Sequence, residues 1–249
     1  MLRAYGGGNL FGEPYGEGPI RVVFLHGWAR RGQDFAASAT ELASRGVGSV
    51  ALDLPGFGAS PLPTVAGGAR LYAQLLAPTL SEMSSDPLVL VGHSFGGCIA
   101  TVLAADNPQS VAALVLVGAP LVHSTSLAMP PWRYRATRYL HAKGLLGDQR
   151  MEAARQRYGS SDYRNANGLL RDIMVARVNE SYEVELARIS APVAMLWGER
   201  DLDVPESVAE KAGALLRAPH TFRSVTGVGH LVPTEAPHEL VSTILEIVS

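Results

Sequence analysis

Apolar and polar positions follow two regimes along the chain. Short, nearly continuous apolar runs recur at Ile20–Leu25, Gly48–Leu52, Leu88–Val91, Val111–Val117 and Val193–Trp197, with a more mixed run at His220–Val225. They are too short for helices and most are rich in β-branched residues, so they predict strands; continuous apolar runs further predict strands covered on both faces. Between them lie segments with helical spacing: Phe35–Ser44 with Asp34 as a candidate N-cap, Leu71–Met83, Phe95–Ala105, Glu206–Arg217 and Glu235–Val248. Strand and helix in alternation predict an α/β fold, a mostly parallel sheet flanked by helices. The alternation is interrupted once. From Ala119 to about Ile189 strand patterns are missing, Arg, Tyr, Met and Trp are frequent, and Leu170, Ile173, Met174, Arg177 and Val178 have helical spacing. Three or four inserted helices are expected there. The predicted organisation is a core in two parts, 1–119 and 190–249, around a helical insert at 120–189.

Composition narrows the function classes. The chain has 249 residues, 47% hydrophobic and 18% charged, enough to bury a core and unlike a disordered chain. A formal net charge of -2 argues against general nucleic-acid binding. Cys98 is the single cysteine, so an intramolecular disulfide and a thiolate zinc site are excluded. The opening residues lack the basic-then-apolar order of a signal peptide. The longest apolar stretch, Val111–Val122, is broken by Gly118 and Pro120 and is too short to span a bilayer. A cytoplasmic protein without a membrane span is expected. The small net charge hides an asymmetry: residues 121–190 hold eleven Arg and Lys against seven Asp and Glu, so a basic insert sits on an acidic body.

The sharpest motif is Gly92-His93-Ser94-Phe95-Gly96-Gly97, after a predicted strand and before a predicted helix. That context suits a nucleophile elbow, in which flanking glycines make room for a serine on a strained turn. A serine needs a base. His230, in Gly227-Val228-Gly229-His230 after the last strand, would reach the same sheet edge; His26 is a rival, and His93 is expected to point away from the hydroxyl. An orienting carboxylate could come from Glu199, Asp201 or Asp203 in the loop Gly198–Pro205, Asp203 reading better as a turn residue. Backbone N–H groups of Phe95 and of Trp28, in His26-Gly27-Trp28, are candidates for an oxyanion hole.

The motifs HGW (His26–Trp28), DLPGFGAS (Asp53–Ser60), GHSFGG (Gly92–Gly97), GERDLDVP (Gly198–Pro205) and GVGH (Gly227–His230) come in the order and at the spacings of the α/β-hydrolase superfamily, which the chain resembles along nearly its whole length. The resemblance implies a triad of Ser94, Asp201 and His230. The family pattern G-x-x-D-x-x-x-P falls on Asp201 and Pro205, favouring Asp201 over Asp203. It implies that the Asp53 loop shapes the entrance and that the insert is the helical cap. A serine at the elbow disfavours dehalogenases and epoxide hydrolases, which use aspartate there. The expected activity is that of a carboxylesterase-type serine hydrolase acting on small short-to-medium acyl esters, with no metal or other cofactor. HGW and the DLPGFGAS loop are also similar to two subgroups, pimeloyl-[acyl carrier protein] methyl ester esterases and perhydrolases. Alternatives are therefore an esterase for carrier-protein-linked methyl esters, with an acyl carrier protein as partner to the basic insert, and a perhydrolase or lactonase. A non-enzymatic ligand receptor could share the fold. Met129, Trp132, Tyr139, Leu170 and Met174, with Trp28 and Phe95, are expected to wall the acyl pocket.

Overall fold

The computed structural model describes residues 1–122, 132–158 and 166–248. Eight strands form one sheet: β1 (Arg3–Tyr5), β2 (Leu10–Tyr15), β3 (Ile20–Leu25), β4 (Gly48–Asp53), β5 (Leu88–His93), β6 (Val111–Val117), β7 (Val193–Gly198) and β8 (His220–Val225), in the order β1-β2-β4-β3-β5-β6-β7-β8. The pairs from β4 to β8 are parallel, while β1–β2 and β2–β4 are antiparallel. The predicted α/β sheet is thus observed, with two N-terminal strands that the hydrophobic pattern did not predict. β1 is at the sheet edge and β2 carries Gly12 and Pro14, so neither makes an apolar run. Gly12 is required by close approach: a Cβ there would lie 2.7 Å from Leu52 Cδ2 and 3.0 Å from the Ala51 carbonyl oxygen.

The helices are α1 (Ala36–Ser44), α2 (Ala69–Met83), α3 (Phe95–Asp106), α4 (Trp132–Ala142), α5 (Asp148–Tyr158), α6 (Leu169–Val178), α7 (Glu183–Leu186), α8 (Glu206–Leu215), α9 (Val232–Glu235) and α10 (Pro237–Val248). The helix predicted over Glu235–Val248 is two, because Ala236 leaves helical geometry and Pro237 starts the longer one. Asp34 does not cap α1; Phe35 is its N-cap, and the Asp34 carboxylate pairs with Arg30.

Side chains alternate across the sheet. Val22, Phe24, Val89, Val91, Val115, Val117, Ala194 and Leu196 face one core with Ala39 and Leu42 of α1 and Leu240, Val241 and Ile244 of α10. The residues between them, such as Val23, Leu25, Leu90, Leu116 and Trp197, are equally buried. Their face is covered by α3, packed on β3, β5 and β6, with α2 against α3 and α8 against β7 and β8. Two-sided burial is the reason that the inner strands read as continuous apolar runs.

The chain divides into two compact units. The first comprises Met1–Thr64, Ala69–His123 and Glu180–Ser249 and holds the whole sheet; the second comprises Val65–Gly68 and Ser124–Asn179. Residues 180–189 pack with the sheet unit: the Tyr182 N–H donates to the Leu121 carbonyl (3.0 Å), and Arg70 of α2 pairs with Glu185 (2.7 Å). Among the described residues no helix is long and apolar enough to cross a membrane.

Candidate active site

Four loops leave the carboxyl ends of β3, β5, β7 and β8, and parallel pairing brings these ends to one edge: Leu25 pairs with Gly92, His93 with Val117, Val117 with Leu196, and Gly198 with Val225. Ligands of open α/β sheets bind outside this edge.

The turn from β5 into α3 carries Ser94, with φ 50° and ψ −113°, a left-handed conformation that costs a non-glycine residue of order 1–3 kcal/mol. Two glycines make the turn sterically feasible. A Cβ at Gly96 would sit 2.0 Å from the Leu25 carbonyl oxygen, and one at Gly92 would sit 2.5 Å from that of Gly96. The Ser94 N–H donates to the Val117 carbonyl (2.8 Å), and its own carbonyl accepts from Gly97 and Cys98 (3.0 and 3.2 Å). The residue is buried.

His230 and Asp201 come together from different loops. His230 Nδ1 lies 2.7 Å from Asp201 Oδ2. The other carboxylate oxygen, Oδ1, accepts the N–H groups of Asp203 (2.9 Å) and Val204 (2.8 Å). Asp201 is therefore buried, orientated and fully bonded, while Asp203 is exposed and contributes its backbone. The base loop is braced by hydrogen bonds from Gly227 N–H to Glu199 (2.8 Å), Arg200 N–H to the Val228 carbonyl (2.8 Å) and Gly229 N–H to Glu235 (2.9 Å). Gly118, just after β6, abuts both groups: with φ 51°, a Cβ there would lie 3.1 Å from Asp201 Oδ2 and 3.2 Å from His230 Nδ1.

His26 is unavailable as a base. Its Nε2 accepts the Leu54 N–H (2.9 Å), so Nδ1 carries the proton and donates to the Gly27 carbonyl (2.7 Å). Burial lowers its pKa to about 4. His93 makes a contact the sequence did not reveal: its Nε2 lies 2.8 Å from the main-chain oxygen of His230. Burial, reinforced by the nearby His230, lowers the His93 pKa to about 3. His141, His220 and His238 bond to Asp148, the Ala218 carbonyl and Glu41 respectively. His123 lies outside the described residues.

The loop after β3 turns at Gly27–Arg30, with Arg30 N–H bonded to the Gly27 carbonyl (3.2 Å) and Ala29 at φ 53°. A Cβ at Gly27 would lie 3.3 Å from Ser94 Cβ, so this loop runs against the elbow. The Trp28 ring packs edge-on against Phe57 (5.1 Å between centroids) and Phe95 (5.8 Å), and Phe95 packs on Tyr72 (5.0 Å). Asp53 clamps the neighbouring loops, accepting the N–H groups of Gly32 and Ala59 (both 2.8 Å).

The expected wall residues of the insert lie in the second unit. Trp132 is 72% exposed and Tyr139 63%, Leu170 is half-buried, and Met174 is buried, its sulfur accepting from Arg177 Nε (3.3 Å). Met129 lies outside the described residues. Among the described residues, Asp201, Asp203 and His230 form the one group whose candidate metal-ligand atoms lie within 4.8 Å of one another. The short Asp201–His230 bond and the two N–H donors on Asp201 already use that carboxylate, so the donor set suits an acid–base pair better than a cation.

Comparison with known proteins identifies the family and the fold. The Alpha/beta hydrolase family profile matches residues 22–243. The chain is 33% identical over 215 residues to a pimeloyl-[acyl-carrier protein] methyl ester esterase of Chromobacterium violaceum, covering 79% of this chain and 82% of that protein. It is 28% identical over 225 residues to a 2-hydroxy-6-oxononadienedioate/2-hydroxy-6-oxononatrienedioate hydrolase of Cupriavidus pinatubonensis, covering 78% of this chain and 74% of the other. Among solved structures, an esterase from Exiguobacterium antarcticum superposes with a TM-score of 0.75 at 19% identity, covering 100% of this chain and 99% of that one.

Proposed function

The chain belongs to the alpha/beta hydrolase family and is a hydrolase of the carboxylesterase type, and on that premise we propose that it cleaves short-to-medium acyl carboxylic esters through an acyl-enzyme on Ser94. The observation that carries this reading is the 2.7 Å bond between His230 Nδ1 and the buried Asp201, at the sheet edge where the elbow holds Ser94. Asp201 keeps the proton on Nδ1, which leaves Nε2 as the bare base. His230 takes the Ser94 proton as Oγ attacks the ester carbonyl, then gives it to the departing alkoxide. A water molecule, deprotonated by the same nitrogen, attacks the acyl-enzyme; the C–O bond to Ser94 breaks and the proton returns to Oγ. The N–H groups of Phe95 and Trp28 receive the negative charge on the carbonyl oxygen in both steps. All charge and proton movements are covered by these residues, so the reading needs no metal or other cofactor.

The test is a panel of p-nitrophenyl esters. Wild type turns over acetate to hexanoate, Ser94→Ala and His230→Ala do not, and a fluorophosphonate labels Ser94 alone. Turnover by Ser94→Ala equal to wild type refutes the mechanism.

A second reading is favoured by the Chromobacterium relative together with exposed Arg133, Arg135, Arg138 and Lys143 in the second unit. Here the ester is a methyl ester carried on an acidic acyl carrier protein, held by these cations. A carrier-bound methyl ester cleaved with a much lower KM than the free ester, and with strong salt dependence, selects it; equal KM values reject it.

A further inference from the structure

We propose that His93 is a positioning residue for the base, fixing the loop that carries His230 against the elbow that carries Ser94. The inference rests on the assignment of His230 as the base. His93 belongs to the elbow through its backbone, one residue before Ser94, yet its side chain bonds to the main-chain oxygen of His230, 137 residues further on. The other braces on the base loop run to Glu199, Arg200 and Glu235, on the side of the acid or of the base's own neighbours. They hold the base to the acid. The His93 bond holds the base to the nucleophile.

The chemistry of the ring agrees with this role. A carbonyl oxygen only accepts, so Nε2 of His93 carries a proton and Nδ1 is bare. Nδ1 lies against Gly27, where a Cβ would stand 3.0 Å away, so the ring is held between the loop after β3 and the base loop. A proton on the bare Nδ1 would place a positive charge on a buried ring, so burial first of all disfavours His93 as an acceptor of the Ser94 proton. His230, Arg30 and His26 all oppose a charge on it, as does its complete burial. His93 thus stays neutral while His230, with ring centroids 4.9 Å apart, becomes imidazolium in each step. It supplies a donor of fixed length with no competing positive charge.

Two amide variants separate position from packing. The amide nitrogen of Gln stands about where histidine Nε2 stands, whereas that of Asn is short of it, at the level of Nδ1. We expect His93→Asn to lower kcat about 10- to 100-fold with KM within about twofold, the loss that follows a misplaced catalytic group. His93→Gln should recover kcat to within about threefold of wild type. In wild type labelled with [15N]histidine, His93 should remain the neutral Nε2–H tautomer from about pH 8 to about pH 5. A His93→Asn enzyme with wild-type kcat overturns the proposal, as do Gln and Asn variants equally impaired. If the variants do not fold, the wild-type spectrum decides: a His93 that titrates in that range, or carries its proton on Nδ1, also overturns it. Ser94→Ala, run beside them, keeps the two assignments apart. Turnover in that variant breaks the triad reading, whereas its loss with an unaffected His93→Asn breaks only this one.

Discussion

Replacing Asp201 by Asn swaps one oxygen for an NH2 group and removes a charge, leaving size and shape unchanged. The surroundings decide which way the amide faces. Oδ1 of Asp201 accepts two backbone N–H groups, from Asp203 at 2.9 Å and Val204 at 2.8 Å. An Asn with its NH2 on that side would oppose donor to donor twice, in a buried place. The amide oxygen must therefore stay there, and the NH2 must take the Oδ2 position, 2.7 Å from His230 Nδ1. It can only donate, so Nδ1 becomes the acceptor and the His230 proton moves to Nε2. The base then meets Ser94 with its proton already in place. The same change of tautomer in a serine protease triad lowers kcat about 10⁴-fold. At about 1.4 kcal/mol per factor of ten, that is roughly 5.5 kcal/mol of lost transition-state stabilisation. The assay is kcat on p-nitrophenyl butyrate beside thermal unfolding, which should move little because both backbone bonds persist. Asp203→Asn, on an exposed side chain, should keep kcat within about threefold, as surface substitutions usually do. An Asp201→Asn enzyme within tenfold of wild type, or an Asp203→Asn enzyme damaged as much, would refute the tautomer argument.

Three further outcomes are expected. Gly118→Ala should cut kcat by orders of magnitude, because its Cβ would press on both Asp201 and His230 from about 3.1–3.3 Å and must also adopt φ 51°; steady-state kinetics on the folded variant check it. Stability should fall in mild acid. His26 and His93 have folded pKa values of about 4 and about 3, below their ordinary 6.5, so the unfolded chain binds more protons between these limits. The contribution is intact above about pH 6.5 and is lost as pH falls toward the folded values, by up to about 1.4 kcal/mol per pH unit for each histidine; urea titrations across that window measure it. Met174→Ala should cost about 2–4 kcal/mol of stability because the side chain is buried, whereas Trp132→Ala, 72% exposed, should cost little; calorimetry and an ester chain-length panel on both separate a core role from the acyl-selecting role expected from the sequence.

The inner strands were legible because β3 and β5–β7 are buried on both faces, which writes an uninterrupted apolar run into the sequence. β1 and β2 were not, since an edge strand and a strand built around Gly12 and Pro14 have no such run to show. The glycines flanking Ser94 could be read because the turn and its neighbours are adjacent in sequence. The carboxylate was narrowed to Asp201 only by resemblance to the family pattern, and its two N–H donors depend on the turn it makes. Gly118 and His93 were missed for a common reason. Each acts on residues 83 to 137 positions away, and only the parallel order of the strands brings them together. A glycine just past an apolar strand whose end faces the catalytic edge was the one available sign of the first.

The order of the strands also sets when the chain acquires its chemistry. Everything that shapes the elbow, β3, β4, β5, β6 and α3, is contained in the first 117 residues. The proposed acid and base, Asp201 and His230, come from beyond residue 190, after strands that extend the sheet at the far side of β6. Synthesis runs from the N-terminus, and long-range pairings form after local ones. A growing chain can thus fold its serine turn while that serine is no more reactive than any free alcohol. On the proposed mechanism the nucleophile is armed only when the final sixty residues dock, so an incomplete chain would carry a finished elbow without its base.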